Sequence, residues 1–249
     1  MHIKAFKTAR IEGKNSCLED IIEDALPKLE NGDILALTSK IVSLCQGRYI
    51  CKEETSKYDL ICQEADLLLQ TDQNPYNLFL TIKDGLLIPS AGIDASNGLN
   101  VYILYPKDIQ EVAFSLWNHL RTKFKLQDLG ILITDSHTTP LRRGVTGIAL
   151  GWCGFEPLYS YVNKPDVYGQ PLCVTQINIL DALAASAVFV IGEGDEQTPL
   201  ALIQKAPKIS FLDRPPTSQE EQSIKISLEE DLYAPLFQSV KWLKVKHNF

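Results

Sequence analysis

The sequence predicts an α+β fold. Short β-rich apolar runs recur between turn residues, and capped helical patterns stand between some of them. The regular strand–helix–strand rhythm of a doubly wound sheet is missing. Ser16 with Glu19 reads as a capping box that opens a helix to about Leu29. Ile34–Leu37, Leu86–Ile88 and Val101–Leu104 follow as buried strands. Asp108 with Glu111 caps an amphipathic stretch whose apolar face includes Val112, Leu116 and Leu120. Gly130–Ile133 is the next strand. Ile177 to Ala187 is a nearly all-apolar, buried helix, and Val188–Ile191 reads as one more strand. After the Pro215-Pro216 break, Thr217 caps one short helix and Ser227 with Glu230 caps another.

Composition excludes several classes. Twenty-four basic against thirty-one acidic residues leave a formal charge of −7, the wrong sign for a general nucleic-acid binder or a polybasic membrane-surface protein. No apolar run reaches the ~20 residues of a membrane span, and MHIKAFKTAR has no apolar core of a secretory signal. The expected compartment is the cytoplasm. The six cysteines form no CxxC pair and only four histidines accompany them, so they read as reduced thiols, mostly packing residues.

The polar residues collect after the strands. Thr38-Ser39-Lys40 follows the first, Pro89–Gly98 the second, Thr134–Gly144 the fourth and Gly192–Pro199 the last. Ligand sites commonly lie outside the carboxyl ends of strands, where the sheet holds the loops rigidly. Asp94, Asp135 and Glu193, with Ser136 beside them, are the oxygen ligands that one or two hard cations such as Mg²⁺ take. Lys40 and the Arg142–Arg143 pair suit phosphate or carboxylate groups. Gly192 and Gly194 let backbone approach a ligand. Singly, each has a plainer reading: an Asx-turn at Ile93–Gly98, a solvated acidic turn at Gly192–Thr198, a surface arginine pair, an exposed or supporting His137. Asp135, Ser136 and His137 are no triad, because neighbours in an extended segment face opposite ways. No GxxxxGK[ST] loop exists. Together the residues point to metal-assisted chemistry on a phosphorylated substrate. A metal-dependent phosphohydrolase and a non-catalytic nucleotide- or metal-binding module fit the same carboxylates.

Five blocks in order resemble the coenzyme F420-0:gamma-glutamyl ligases and the bacterial relatives proposed to act on folate. They are Gly32–Gly47 (GDILALTSKIVSLCQG), Pro89–Gly98 (PSAGIDASNG), Ile131–Gly151 (ILITDSHTTPLRRGVTGIALG), Pro157–Leu172 with Asp166 and Gly169, and Val190–Ile203 (VIGEGDEQTPLALI). The resemblance implies one ligase module over residues 1–249. Its α+β fold would have two subdomains, 1–87 with 180–249 and 88–179, of mixed sheets and helices, in an intertwined homodimer. It further implies that Asp94, Asp135, Ser136 and Glu193 hold one or two Mg²⁺ or Mn²⁺, with K⁺ a further candidate. Ser39, Lys40, Asn97 and the Gly192–Thr198 loop, with Gly192, Gly194 and Asp195, match nucleotide-contacting positions for GTP or ATP. Asp94, Asp135 and Arg142 are the expected catalytic residues, Arg142 or Arg143 holding a carboxylate of glutamate or acceptor. The activity implied is glutamate addition to an acceptor carboxylate through an acyl phosphate, with no protein nucleophile. The partners are L-glutamate and a carboxylate-bearing pterin or deazaflavin. Thr138–Arg142 and the tail Ser227–Leu236 are more similar to the folate-assigned relatives, so folate is the expected acceptor and the deazaflavin coenzyme precursor the alternative. Two positions depart from the coenzyme ligases: Leu44 stands where they tend to have lysine, and Thr8–Ile11 lacks their proline-containing pattern.

Overall fold

The computed structural model describes residues 1–11, 13, 16–71, 76, 78–96 and 98–245. In chain order the elements are β1 (His2–Phe6), α1 (Leu18–Ala25), β2 (Asp33–Thr38), α2 (Ser39–Cys45), β3 (Tyr49–Cys51), α3 (Lys57–Glu64), β4 (Leu67–Leu69), β5 (Leu80–Lys83) and β6 (Leu86–Pro89). After a 3₁₀ turn at Ser90–Gly92 come β7 (Val101–Ile103), α4 (Ile109–Phe124), β8 (Leu129–Thr138), β9 (Val145–Cys153), β10 (Leu158–Ser160) and β11 (Gln176–Asn178). The chain ends with α5 (Ile179–Ile191), β12 (Leu200–Gln204), α6 (Ser218–Ser223), α7 (Ala234–Gln238) and β13 (Trp242–Lys244).

The result is an α+β fold with several sheets. A five-stranded sheet, order β1-β12-β2-β8-β9, forms the centre, and β2–β8 is its one parallel pair. It draws strands from both of the sequence segments expected as subdomains. Alternation along β2 sends Leu35 and Leu37 to one face and Ile34 and Ala36 to the other. Leu116, Trp117 and Leu120 of α4, with Ile22 of α1 and Val42 of α2, cover the first face; Leu180, Leu183, Ala184 and Ala187 of α5 cover the second. Each such large apolar side chain, fully buried, contributes roughly 1.5–3 kcal/mol. The Trp117 indole N–H donates to the Leu129 carbonyl at 2.8 Å and ties α4 to the sheet. A smaller core of Leu60, Ile61, Leu68, Ile93 and Leu104 joins α3 to the four-stranded sheet β13-β4-β5-β6 and to the β3–β7 pair.

Several expectations are corrected. Val188–Ile191 is the end of α5, not a strand. No turn residue separates it from the expected helix, which begins at Ile179 because Ile177 belongs to β11, so the apolar run continues as one helix, and its termination falls to Gly192 at a φ of 82°, whose N–H bonds the Val188 carbonyl at 3.0 Å. The strand of this region is β12, eight residues further on. Helix α1 stops at Ala25 because Leu26 precedes Pro27 and takes an extended conformation. Its cap position is Cys17 rather than Ser16, with no side-chain cap bond. Asp108 does precede α4, but its backbone is left-handed and it makes no cap bond. Thr217 and Glu220 form the expected capping box on α6, whereas Ser227 and Glu230 close only a turn. Of the cysteines, Cys153 is buried and Cys45 and Cys62 pack partly against cores, but Cys17 and Cys173 are exposed. Among the described residues, no helix is long and apolar enough to cross a membrane.

Candidate active site

The site is a cleft of about 1320 Å³, built where four chain segments leave their elements. At the first, β2 ends at Thr38 and α2 begins at Ser39, which puts Ser39 and Lys40 in the opening turn of a helix pinned to the sheet. The Thr38 N–H donates to the Pro199 carbonyl at 3.1 Å, tying this corner to the loop before β12.

The second segment is strained. Ser90, Ala91 and Gly92 have φ of 54°, 53° and 70°, three successive left-handed residues. For non-glycine residues such backbone costs about 1–3 kcal/mol each and persists only where surroundings over-determine it. Here the buried Thr81 hydroxyl accepts from the Ala91 N–H at 2.8 Å and donates to the Ile88 carbonyl, while the Ser90 N–H donates to Phe79 at 2.6 Å. A Cβ at Gly92 would lie 2.7 Å from the Tyr105 ring. The turn delivers Asp94, whose backbone exchanges two 2.9 Å bonds with Ile103.

The third segment is β8. A bulge between Ile133 and Thr134 breaks its register with β9 as the strand leaves the core, and Asp135, Ser136 and His137 follow on the cleft side of that break. The fourth is the loop after α5, held by the Thr198 hydroxyl on the Ile191 carbonyl at 2.6 Å. Its Gly194 N–H donates to the Glu196 carboxylate at 2.8 Å. A Cβ on Gly192 would meet that same carboxylate at 2.5 Å.

The electrostatics centre on one ammonium. Lys40 Nζ lies 2.5 Å from Asp94 Oδ2, and the Ser96 N–H and hydroxyl donate to Asp94 Oδ1 at 2.6 and 2.7 Å. Burial works against ionisation of Asp94, but Lys40 and Ser96 outweigh it and hold the carboxyl below its ordinary value. Asp135 is pushed up to about 6, first by burial; the Ser136 N–H, the Ser39 hydroxyl and Lys40 oppose the rise and the Asp94 charge adds to it. Glu193 is also raised, again first by burial, against Lys40 and the Ser136 hydroxyl, with Asp94 and Glu196 reinforcing. Burial lowers His137. Asp94 is thus the carboxylate that holds Lys40 most closely, while the anions of Asp135 and Glu193 are disfavoured first by burial and further by the Asp94 charge.

Of the residues expected from sequence, Ser39, Lys40, Asp94, Asp135, Ser136, Glu193, Gly192, Gly194 and Asp195 all line this cleft. Asn97 lies outside the described residues. Arg142 and Arg143 do not line it: they sit exposed in the turn joining β8 to β9, where the Arg142 N–H bonds the Thr139 carbonyl at 3.2 Å. Leu44 and Thr8–Ile11 do line it, and the Thr8 N–H donates to the Gln197 carbonyl at 3.1 Å. Lys57, at the start of α3, lines it too and carries no motif that marks it.

Comparison with known proteins fits this geometry to a family. The family model described as F420-0:gamma-glutamyl ligase matches residues 7–205. The chain belongs to the F420-0:gamma-glutamyl ligase family. The match takes in all four segments of the cleft and ends just after β12, leaving α6, α7 and β13 outside. The coenzyme F420:L-glutamate ligase of Methanopyrus kandleri is 30% identical over 195 residues, 71% of this chain and 76% of the relative. That of Methanocaldococcus jannaschii is 28% identical over 195 residues, covering 72% and 77%. That of Methanothermobacter thermautotrophicus is 28% identical over 213 residues, covering 77% and 81%. These names describe C–N bond-forming ligases.

Proposed function

We propose that this protein is an acid–amino-acid ligase that joins L-glutamate, through its amine, to a carboxylate of an acceptor at the expense of GTP or ATP. The observation that carries the reading is the convergence of Lys40, Asp94, Asp135, Ser136 and Glu193 in one cleft of a chain from this family. The deazaflavin coenzyme precursor is the acceptor we favour, ahead of folate, because the relatives above are named for coenzyme F420.

In this reading a carboxylate oxygen of the acceptor attacks the terminal phosphorus of the nucleotide, displacing the nucleoside diphosphate and giving an acyl phosphate. The glutamate nitrogen then attacks the acyl carbon, expelling inorganic phosphate and losing a proton as the amide forms. Phosphoryl transfer of this kind depends on positioning and charge neutralisation rather than on a protein nucleophile. Lys40 neutralises phosphate charge. Ser39, Gly192, Gly194 and Asp195 contact the nucleotide.

The carboxylates fit a hard divalent cation: oxygen donors, mutually repelling, with one lysine among three. Among the described residues no three His, Cys, Asp or Glu side chains form a ready ligand set. Mg²⁺ does not need one, since it commonly takes one or two carboxylates and completes its shell with water and phosphate. Asp94, Asp135, Ser136 and Glu193 would hold Mg²⁺ or Mn²⁺, which when bound supplies charge neutralisation and orientation of the phosphates. The reading includes a homodimer; the exposed Leu141, Val167, Tyr168 and Val174 supply apolar surface for it.

The test is to incubate the protein with Mg²⁺, glutamate, each triphosphate and each acceptor, F420-0 or tetrahydrofolate, and weigh the products. One added glutamyl residue on F420-0 is the expected result. Triphosphate hydrolysis that needs neither glutamate nor acceptor, without any amide, would refute it in favour of a phosphohydrolase.

A further inference from the structure

Lys57 is the cleft lysine that the steps above leave without a role. It opens α3 behind the Ser56 cap and is half-buried. Among the described residues it makes no ion pair and no hydrogen bond, whereas its neighbours are engaged. Lys52 Nζ donates to the Ala95 carbonyl at 3.0 Å and lies over the Tyr102 ring, and Lys40 is paired with Asp94. Burial holds Lys57 below the ordinary lysine range, with Asp94 opposing that shift and Lys52 adding to it. An ammonium drawn part-way out of water without a partner is an unfavourable arrangement, and an anion entering the cavity relieves it.

Its surroundings select the anion. The charges that act on Lys57 are those of Asp94 and Lys52, while Asp135 and Glu193 respond to Lys40. Leu78, Ile93, Leu99 and Val101 add apolar surface to the cleft lining. A cation beside apolar side chains suits a molecule with an apolar ring body and an anionic arm. A hydrated triphosphate is better met by the hydroxyl- and glycine-bearing segments around Lys40.

We propose that Lys57 is a specificity-determining residue that binds a second anionic group of the acceptor, a carboxylate or phosphodiester distinct from the carboxylate that becomes the amide. This deepens the ligase reading and rests on it. Acceptors with a second anion are thereby selected over those with a single carboxylate.

The experiment compares K57Q and K57R with the wild type. It measures the KM for F420-0, tetrahydrofolate, glutamate and nucleotide, and acceptor binding by calorimetry in Mg²⁺ without nucleotide. Loss of a charge-assisted contact weakens binding about 10- to 100-fold, so K57Q should raise the acceptor KM and Kd by that factor. Nucleotide and glutamate KM should stay within about twofold, K57R should recover most of the affinity, and the melting temperature of K57Q should match or exceed the wild type. The acceptor whose KM moves identifies the anion that Lys57 reads. A nucleotide KM that rises while the acceptor KM stays fixed overturns the assignment, as does a K57Q enzyme indistinguishable from wild type. A wild type that makes no glutamyl amide from any acceptor instead refutes the ligase reading beneath it.

Discussion

Asp135→Asn should make the metal-free protein more stable while abolishing its chemistry. The carboxyl titrates near 6 instead of its ordinary 3.8 because burial disfavours the anion and Asp94 repels it. A folded-state value above the unfolded one means the folded protein binds that proton more tightly. Stability is therefore greatest below pH 4, falls as pH rises to about 6, and carries the full penalty beyond. At 1.36 kcal/mol per pH unit the penalty at pH 7 is about 3 kcal/mol at most. Asp135 reaches solvent at the cleft, so about 1–2 kcal/mol is the working figure. Asparagine keeps an oxygen to accept from the Ser136 N–H, at 2.8 Å in the wild type, and removes the charge. For a chain of this size that is a rise of roughly 3–6 °C in melting temperature. Scanning calorimetry in EDTA from pH 4 to 8 measures it: the variant should gain on the wild type as pH climbs through 6. Added Mg²⁺ should stabilise the wild type and leave the variant nearly unmoved, and the variant should form no glutamyl amide. A variant that melts below the wild type across the range, or that keeps the full Mg²⁺ response, would refute the placement of a repelled, cation-seeking carboxylate here.

Lys40→Ala removes the ammonium that three carboxylates share; partly exposed as that pair is, we expect a loss of about 1–2 kcal/mol in EDTA, read by urea titration, and at least a hundredfold loss of turnover. Retained turnover would remove Lys40 from the chemistry. Gly92→Ala places a Cβ against Tyr105 at a φ of 70°, and about 2 kcal/mol or more should be lost from the urea midpoint. An unchanged midpoint would show that the Ser90–Gly92 turn is not held as described. Glu220 is drawn down to about 2, chiefly by Arg214 and then by the Thr217 donors, against burial. Its folded value lies below the unfolded one, so the support it gives α6 is full above about pH 4.5 and lost as pH falls through 2. Carboxyl carbon NMR should place its midpoint below 3; a midpoint at 4 or above would contradict the Arg214–Glu220 pair seen at 2.7 Å.

The parts of the site legible in the sequence are those made by local chemistry. A buried strand running straight into Thr38-Ser39-Lys40 needs no distant residue to be recognised, and the family blocks carried Asp94, Asp135 and Glu193 into one cleft. What escaped depends on contacts far along the chain. Val188–Ile191 has the β-branched composition of a strand, yet it stays helical because it continues a run packed under the sheet, where burial overrides local preference. The Pro89–Gly98 segment reads as a loop, but nothing in it announces three left-handed residues; the groups that hold them there come from Thr81 of β5 and from Phe79 just before that strand. Lys57 carries no motif in the sequence, and only its place in the cleft lining singles it out. Arg142 and Arg143 are the reverse case: their chemistry suits the site, but the turn between β8 and β9 holds them outside its lining.

These residues share a physical signature that composition could not display. The left-handed Ser90 and Ala91, the raised Asp135 and Lys57, which pairs with no group among the described residues, are each unfavourable in the molecule as it stands, and all lie in or beside one cleft. Packing elsewhere lets the fold carry them: the segments after β2, β8 and α5 leave the two large cores of the central sheet, Ser90 and Ala91 are held by Thr81 and Phe79, and Lys57 opens α3, which packs in the smaller core. The overall charge of −7 thereby has a local meaning. Part of that excess is concentrated where carboxylates repel one another around Lys40. A divalent cation would relieve Asp135 and Glu193, and an acceptor anion would relieve Lys57. Substrate and metal together should therefore stabilise the protein by more than either alone, because each removes a different one of these strains.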